Sequence, residues 1–160
     1  MIELKCNNCG SSELMLEHGF YRCQSCGSRF LAEHPDPEKT EKYRDKMIDA
    51  MNALNFEKQA KYMNKLLALN PQDPYAWTGK VWLAIEEGLD THSRECVTYA
   101  KLALKYTRAI ATEEEYSDIK DFMYSSFLRY GRKMMRLVPD LIGDIEQILK
   151  EIDMDPEYLI

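Results

Sequence analysis

Four cysteines near the start of the chain stand in two identically spaced pairs. Cys6 and Cys9 belong to one Cys-x-x-Cys-Gly motif and Cys23 and Cys26 to a second, with thirteen residues between Cys9 and Cys23. Two such turns, joined by a segment long enough for a short hairpin, can present four thiolates to one tetrahedral metal ion. Four sulfur ligands leave no open coordination position, so the pattern predicts a structural metal site and not a catalytic one.

The segment that must position these thiolates has the pattern of two short strands. Residues 13–17 and 20–23 predict an antiparallel pair, with a turn between them. Gly10 and Gly27 each follow the second cysteine of a motif. We expect a positive φ at both glycines, because the chain must reverse there for its backbone N–H groups to point at the sulfurs.

These motifs resemble the zinc ribbon, a module of general transcription factors, RNA-polymerase subunits and small bacterial proteins. The Cys-x-x-Cys-Gly-Ser start and Phe30, three residues after Gly27, are both similar to that family. The resemblance covers residues 1–34 and implies structural Zn²⁺ as the cofactor. Its ligands would be Cys6, Cys9, Cys23 and Cys26.

Other interpretations of the cysteines fit less well. A thioredoxin-like dithiol needs one pair at a strand-to-helix junction, and rubredoxin-type iron sites have a much longer segment between the pairs. His18 or His34 could replace a sulfur ligand, although four cysteines already suffice.

The composition changes after the cysteine module. Two prolines in His34-Pro35-Asp36-Pro37 predict a stiff connector over residues 35–40. Helix-forming residues follow over 41–160, and similar residues recur 34 positions apart. The pairs in this register are Tyr43 with Trp77, Ala50 with Ala84, Met63 with Val97, and Leu66 with Ala100.

A 34-residue period resembles the tetratricopeptide repeat, a pair of antiparallel helices. Asp73 followed by Pro74 predicts the start of a first helix, and Gly88 falls where that family turns between its two helices. The third unit departs from the pattern, because Ala111 replaces the aromatic and Asp118 stands where a small residue is expected. A single long helix could replace the pair there.

The predicted fold is therefore mostly α: two to three antiparallel helix-pair repeats behind a small N-terminal β zinc ribbon. Leu141, Ile145, Ile148 and Ile152 predict a last helix that caps the stack. The predicted divisions are a ribbon at 1–34, a linker at 35–40 and a repeat domain at 41–160.

In the tetratricopeptide family the first helices line a concave groove that binds peptides. The resemblance carries this role onto Arg44, Ile48, Asn52, Thr78, Trp82 and Ile85. Trp82 would anchor a partner, although an aromatic at helical spacing can equally be core.

Charge and composition exclude several functions. The net charge is −6, with −1 in residues 1–34 and −5 in the remainder, and affinity for a phosphate backbone depends on accumulated Lys and Arg. No apolar run is long enough to cross a bilayer. Thiolate metal sites persist where thiols stay reduced, so we expect a cytoplasmic protein without membrane association.

One basic stripe keeps a nucleic-acid alternative open. Arg129, Arg132, Lys133 and Arg136 share a helix face, where they could meet an acidic partner or simply be solvated and balanced by acids such as Asp140 and Asp144. Phosphate loops, nucleotide fingerprints and catalytic triads are missing from the sequence. We therefore expect a non-catalytic zinc-binding adaptor for a protein or peptide partner, with no small-molecule substrate. The alternative is a transcription-linked regulator that associates with nucleic acid.

Overall fold

The computed structural model describes residues 5–6, 8–17, 20–31 and 37–160. The predicted turn at His18-Gly19, the alternative ligand His34 and the first two residues of the predicted linker lie outside the described residues.

Within residues 14–31, as far as the structure describes them, three short strands form one antiparallel sheet in the order β1-β2-β3. β1 (Leu14–Glu17) pairs with β2 (Phe20–Cys23), and this confirms the predicted hairpin. β3 (Arg29–Leu31) pairs with the other edge of β2 and was not predicted. The sheet thus continues beyond the second cysteine motif, so that motif lies between two paired strands.

Residues 37–160 are mostly helical, as predicted. The first four helices form two consecutive pairs, and α1 and α5 both contact α3. Short 3-10 turns at Pro139–Leu141 and Pro156–Tyr158 flank the last helix. The six helices of this region are α1 (Pro37–Asn52), α2 (Phe56–Leu69), α3 (Pro74–Glu87), α4 (Leu89–Ile110), α5 (Glu113–Leu137) and α6 (Ile142–Glu151).

The start of α1 differs from the sequence prediction. The helix begins at Pro37, inside the predicted linker 35–40, and Thr40 is already buried. Proline is tolerated in the first turn of a helix, because the N–H group it lacks would have no intrahelical partner there. Pro37 therefore starts α1, whereas we expected it to belong to the connector.

Capping residues set the boundaries of the helices. Asp73 accepts a hydrogen bond from the backbone N–H of Ala76 at 3.0 Å, and Pro74 is the first residue of α3. Gly88, with φ of 120°, separates α3 from α4. Thr112 caps α5 through the N–H of Glu115 at 3.2 Å. These contacts explain why the chain turns where the repeat pattern predicts a turn.

The third unit contains one long helix and one short one. α5 runs unbroken for 25 residues, and α6 packs against both α4 and α5. Ile145, Ile148 and Ile152 of the predicted capping stripe are at most 3% exposed, while Leu141 packs at the edge of the same core. α6 therefore packs its apolar residues onto α4 and α5.

Two groups of apolar side chains stabilise the helices. The larger spans α3 to α6 and includes Met123 and Phe127, which are both fully buried. The smaller joins α1, α2 and α3 around Met47 and Leu66. Cys96 lies in the larger cluster, where burial raises the pKa of its thiol to about 12. Cys96 therefore acts as a small packing residue of this core.

The sheet contacts the helical stack on one side. β1 lies against α4. This contact defines where the two parts meet.

Candidate metal centre and groove

The two cysteine motifs fold into nearly identical turns. The N–H of Gly10 donates to the carbonyl of Cys6 at 2.9 Å, and the N–H of Gly27 donates to the carbonyl of Cys23 at 3.0 Å. φ is 77° at Gly10 and 75° at Gly27, in the left-handed region that glycine adopts without strain. The predicted backbone reversal is confirmed at both positions. Each turn brings its two cysteines to the same point beside the sheet.

The four sulfur atoms form one compact cluster. All four Sγ atoms lie within 4.8 Å of one another, and the four cysteines could hold a metal ion. Sγ of Cys6 is 3.6 Å from Sγ of Cys26, and Sγ of Cys9 is 3.5 Å from Sγ of Cys23. A tetrahedral ion with metal–sulfur bonds of about 2.3 Å separates its sulfurs by about 3.8 Å. The observed distances are close to that value and far above the roughly 2.05 Å of a disulfide.

The environment of the cluster differs from one sulfur to another. The Ser28 hydroxyl lies 3.1 Å from Sγ of Cys26, and this hydrogen bond is the main reason why the pKa of that thiol falls to about 6. The Ser11 backbone lowers the pKa of Cys9, but hydrogen bonds with Cys23 and the other thiols, together with desolvation, raise it to about 12. Cys26 therefore loses its proton more readily than Cys9, because each thiol interacts with the others at this short distance.

Only one cysteine of each motif faces solvent. Cys6 and Cys23 are buried, whereas Cys9 and Cys26 are exposed. The side-chain amide of Asn8 adds contacts on the exposed side, donating to the Ser28 hydroxyl at 3.0 Å and lying 3.7 Å from Sγ of Cys26. A bound ion would therefore be covered by protein on one side and open to solvent on the other.

A groove with a cavity of about 320 Å³ lies between α1, α3 and α5, the first helices of the three successive units. Of the six partner-binding residues predicted from the sequence, the structure brings four together here. They are Ile48, Asn52, Thr78 and Trp82.

The other two predicted residues lie elsewhere. Ile85 is 8% exposed and packs in the larger core. Arg44 makes an ion pair with Asp73 at 2.8 Å and another with Glu115 at 3.0 Å. Its guanidinium also lies over the ring of Tyr75, 4.4 Å from the centroid. Arg44 thus links α1 to α3 and α5, and three of its five N–H donors already bond to carboxylates of the protein.

Several groove residues were missed by the sequence analysis. Met51 and Ile119 stand 34 positions before and after Ile85, so the repeat register itself could have found them. Phe122 stands 34 positions after Gly88, so the register does not identify it. Met47, Gly79, Tyr75 and Asp118 complete the lining.

Trp82 occupies the centre of this surface. Its ring meets that of Phe122 edge-on, with centroids 6.2 Å apart. Both residues also line a second cavity of about 410 Å³, which continues along α5 past Ser125 to Arg129. The indole Nε1 is buried without a hydrogen-bond partner among the described residues. The two cavities thus adjoin at Trp82 and Phe122, which line both, and together we call them the trough.

The acids expected to balance the basic stripe do not do so. Asp140 pairs with Arg94 at 2.9 Å, and Asp144 pairs with Lys101 at 3.0 Å. Arg94 and Lys101 are residues of α4. Lys133 instead approaches Asp90 at 3.6 Å. The prediction that Asp140 and Asp144 neutralise the stripe is therefore wrong, because both carboxylates pair with cations of α4 instead.

Comparisons with protein-family models, with curated proteins and with solved structures give no match. Among the described residues, every helix is too short or too polar to cross a bilayer.

Proposed function

We propose that this protein is a non-catalytic zinc-binding adaptor whose helical groove binds a segment of a partner protein. The observation that carries the proposal is the groove itself. Its walls are the first helices of three successive units, and it contains four of the residues at which a tetratricopeptide-like groove would contact its ligand.

The ligand set supports zinc as the metal. Four thiolates in a tetrahedral arrangement suit zinc or an iron–sulfur site, and carboxylate-preferring ions are excluded by the sulfur donors. The cysteines leave no open position for a substrate or water, so the ion would stabilise the ribbon. Such a site fits a cytoplasmic protein, because cytosolic thiols are kept reduced.

The chemistry of the groove favours an apolar partner segment. The lining is mainly apolar, and Ile48 remains 37% exposed at its edge. Bulky apolar side chains of a partner segment would cover this surface, with Trp82 as the central contact. Buried aromatic anchors of this kind dominate the energetics of protein interfaces.

Selection from a random peptide display library on the full-length, zinc-loaded protein tests the proposal. We expect enriched peptides with clustered Leu, Ile, Phe or Trp, and we expect Trp82→Ala and Ile48→Glu to abolish their binding. Phe56→Ala is the matched control, because Phe56 is an exposed aromatic at the start of α2, outside the groove. Enrichment that survives both groove variants would contradict the proposal, and so would a selection that enriches nothing.

A further inference from the structure

One face of α5 runs through both cavities and changes character along its length. Asp118, Phe122, Ser125 and Arg129 follow one another at intervals of four, three and four residues, so they share a helix face. Asp118 lines the first cavity, Arg129 the second, and Phe122 both. The trough therefore has an acidic group at one end, apolar side chains in the middle and a basic group at the other end.

The separation of the two charges suits a short peptide. Eleven residues of α-helix advance by about 16 Å. An extended chain spans about the same distance with five residues. A single bound segment can therefore contact Asp118, Phe122 and Arg129 together.

The basic end carries positive charge that none of the described residues neutralises through an ion pair. Arg44, Arg94 and Arg108 each pair with a carboxylate from another part of the chain. The three remaining arginines of the helical part, Arg129, Arg132 and Arg136, show no ion pair with any residue that the structure describes. All three are exposed on the C-terminal half of α5, although the chain as a whole carries a net charge of −6.

We infer that the trough binds a polarised segment of the partner protein, with apolar side chains against Trp82 and Phe122 and acidic side chains at Arg129. Arg136 lies two turns beyond Arg129 on the same face and would contact acidic residues that follow. This inference rests on the proposed function and adds the charge of the ligand and the order of its apolar and acidic side chains along the trough. The opposite charge order would place an acid beside Asp118 and a base beside Arg129, so it is disfavoured at both ends.

The same library selection tests the inference through the charge of the enriched peptides. We expect Asp and Glu to be enriched to one side of the apolar cluster. A synthetic copy of the strongest peptide should bind Arg129→Glu roughly tenfold more weakly, and its affinity for the native protein should fall as salt is added. Selection on Arg129→Glu should enrich Lys and Arg in place of the acids. Lys150→Glu is the matched control, because it makes the same charge change at an exposed position on α6.

Each alternative outcome gives a distinct result. Enriched peptides that need Trp82 but carry no acidic bias would overturn this inference and leave the proposed function standing. Failure to enrich any peptide would overturn both. Salt-sensitive binding of a labelled single-stranded oligonucleotide that Arg129→Glu abolishes would assign the basic end to nucleic acid instead.

Discussion

Replacing Arg44 by methionine tests whether this residue holds the helices together or contacts a ligand. Nη2 and Nε of Arg44 donate to Oδ2 of Asp73 at 2.8 and 3.2 Å, and Nη1 donates to Glu115 at 3.0 Å. The Asp73 side chain is 1% exposed and that of Arg44 is 13% exposed. Methionine keeps much of the apolar stem but leaves the Asp73 carboxylate buried without a cation.

The expected loss follows from this burial. Removing one partner of a buried ion pair costs about 3–5 kcal/mol, because the remaining charge is uncompensated. In the variant, Oδ1 of Asp73 would still accept the hydrogen bond from the N–H of Ala76, which is 3.0 Å long. The loss of stability should therefore lie near the lower end of the roughly 3–5 kcal/mol range. The pair with Glu115 and the contact with Tyr75 each add less than about 1 kcal/mol. We expect the free energy of unfolding to fall by about 3 kcal/mol and Tm by about 6–12 °C.

Urea unfolding followed by far-UV circular dichroism measures this loss. Arg94→Met is the matched control, since the Arg94–Asp140 pair is more than half exposed on both sides and should contribute less than about 1 kcal/mol. Asp73→Asn added to Arg44→Met should recover part of the stability, because it removes the orphaned charge while the amide oxygen still caps α3. If Arg44→Met loses no more than Arg94→Met yet weakens peptide binding, Arg44 contacts the ligand and our reasoning is wrong.

Three further predictions concern the metal, two glycines and the groove tryptophan. Cys23→Ala should lose one equivalent of zinc, as measured by elemental analysis, and should speed hydrogen exchange in residues 14–31. The helical circular dichroism signal should remain. Loss of that signal would mean that the helices need the ribbon in order to fold. Gly79→Ala should lower the free energy of unfolding by about 1 kcal/mol, because the new Cβ would lie 2.9 Å from Sδ of Met47. Gly143→Ala should raise the free energy of unfolding by about 0.5 kcal/mol, because its Cβ would meet nothing within 4 Å. Equal effects of the two substitutions would contradict the predicted clash with Met47. Trp82→Phe removes a buried N–H that has no partner among the described residues. The free energy of unfolding, measured by urea titration, should therefore change by less than about 1 kcal/mol. A larger loss would indicate that Nε1 has a hydrogen-bond partner in solution.

Local features could be predicted from the sequence because they depend on near neighbours. The cysteine turns, the cap at Asp73, the turn at Gly88 and the capping helix around Ile148 each involve residues a few positions apart. The pairing of the helices could also be predicted, because the 34-residue register repeats the same helix–turn–helix pattern. These parts of the fold follow from backbone preferences and apolar periodicity.

Contacts between distant residues could not be predicted in this way. Arg44 meets carboxylates 29 and 71 positions away, and the family resemblance assigned it to a ligand instead. Asp140 and Asp144 are close to the basic stripe in sequence, yet they face α4 in the fold. Ion pairs depend on which helix faces meet, and a single sequence does not contain that information.

The contacts of Arg44 have a consequence for how a partner associates. Arg44 belongs to α1 and fastens to α3 through Asp73 and to α5 through Glu115, and these three helices are the walls of the groove. The spacing of the walls is therefore preorganised before a ligand arrives, which lowers the entropy lost on association. The observed association rate should rise linearly with peptide concentration, without the plateau that a slow opening step would impose.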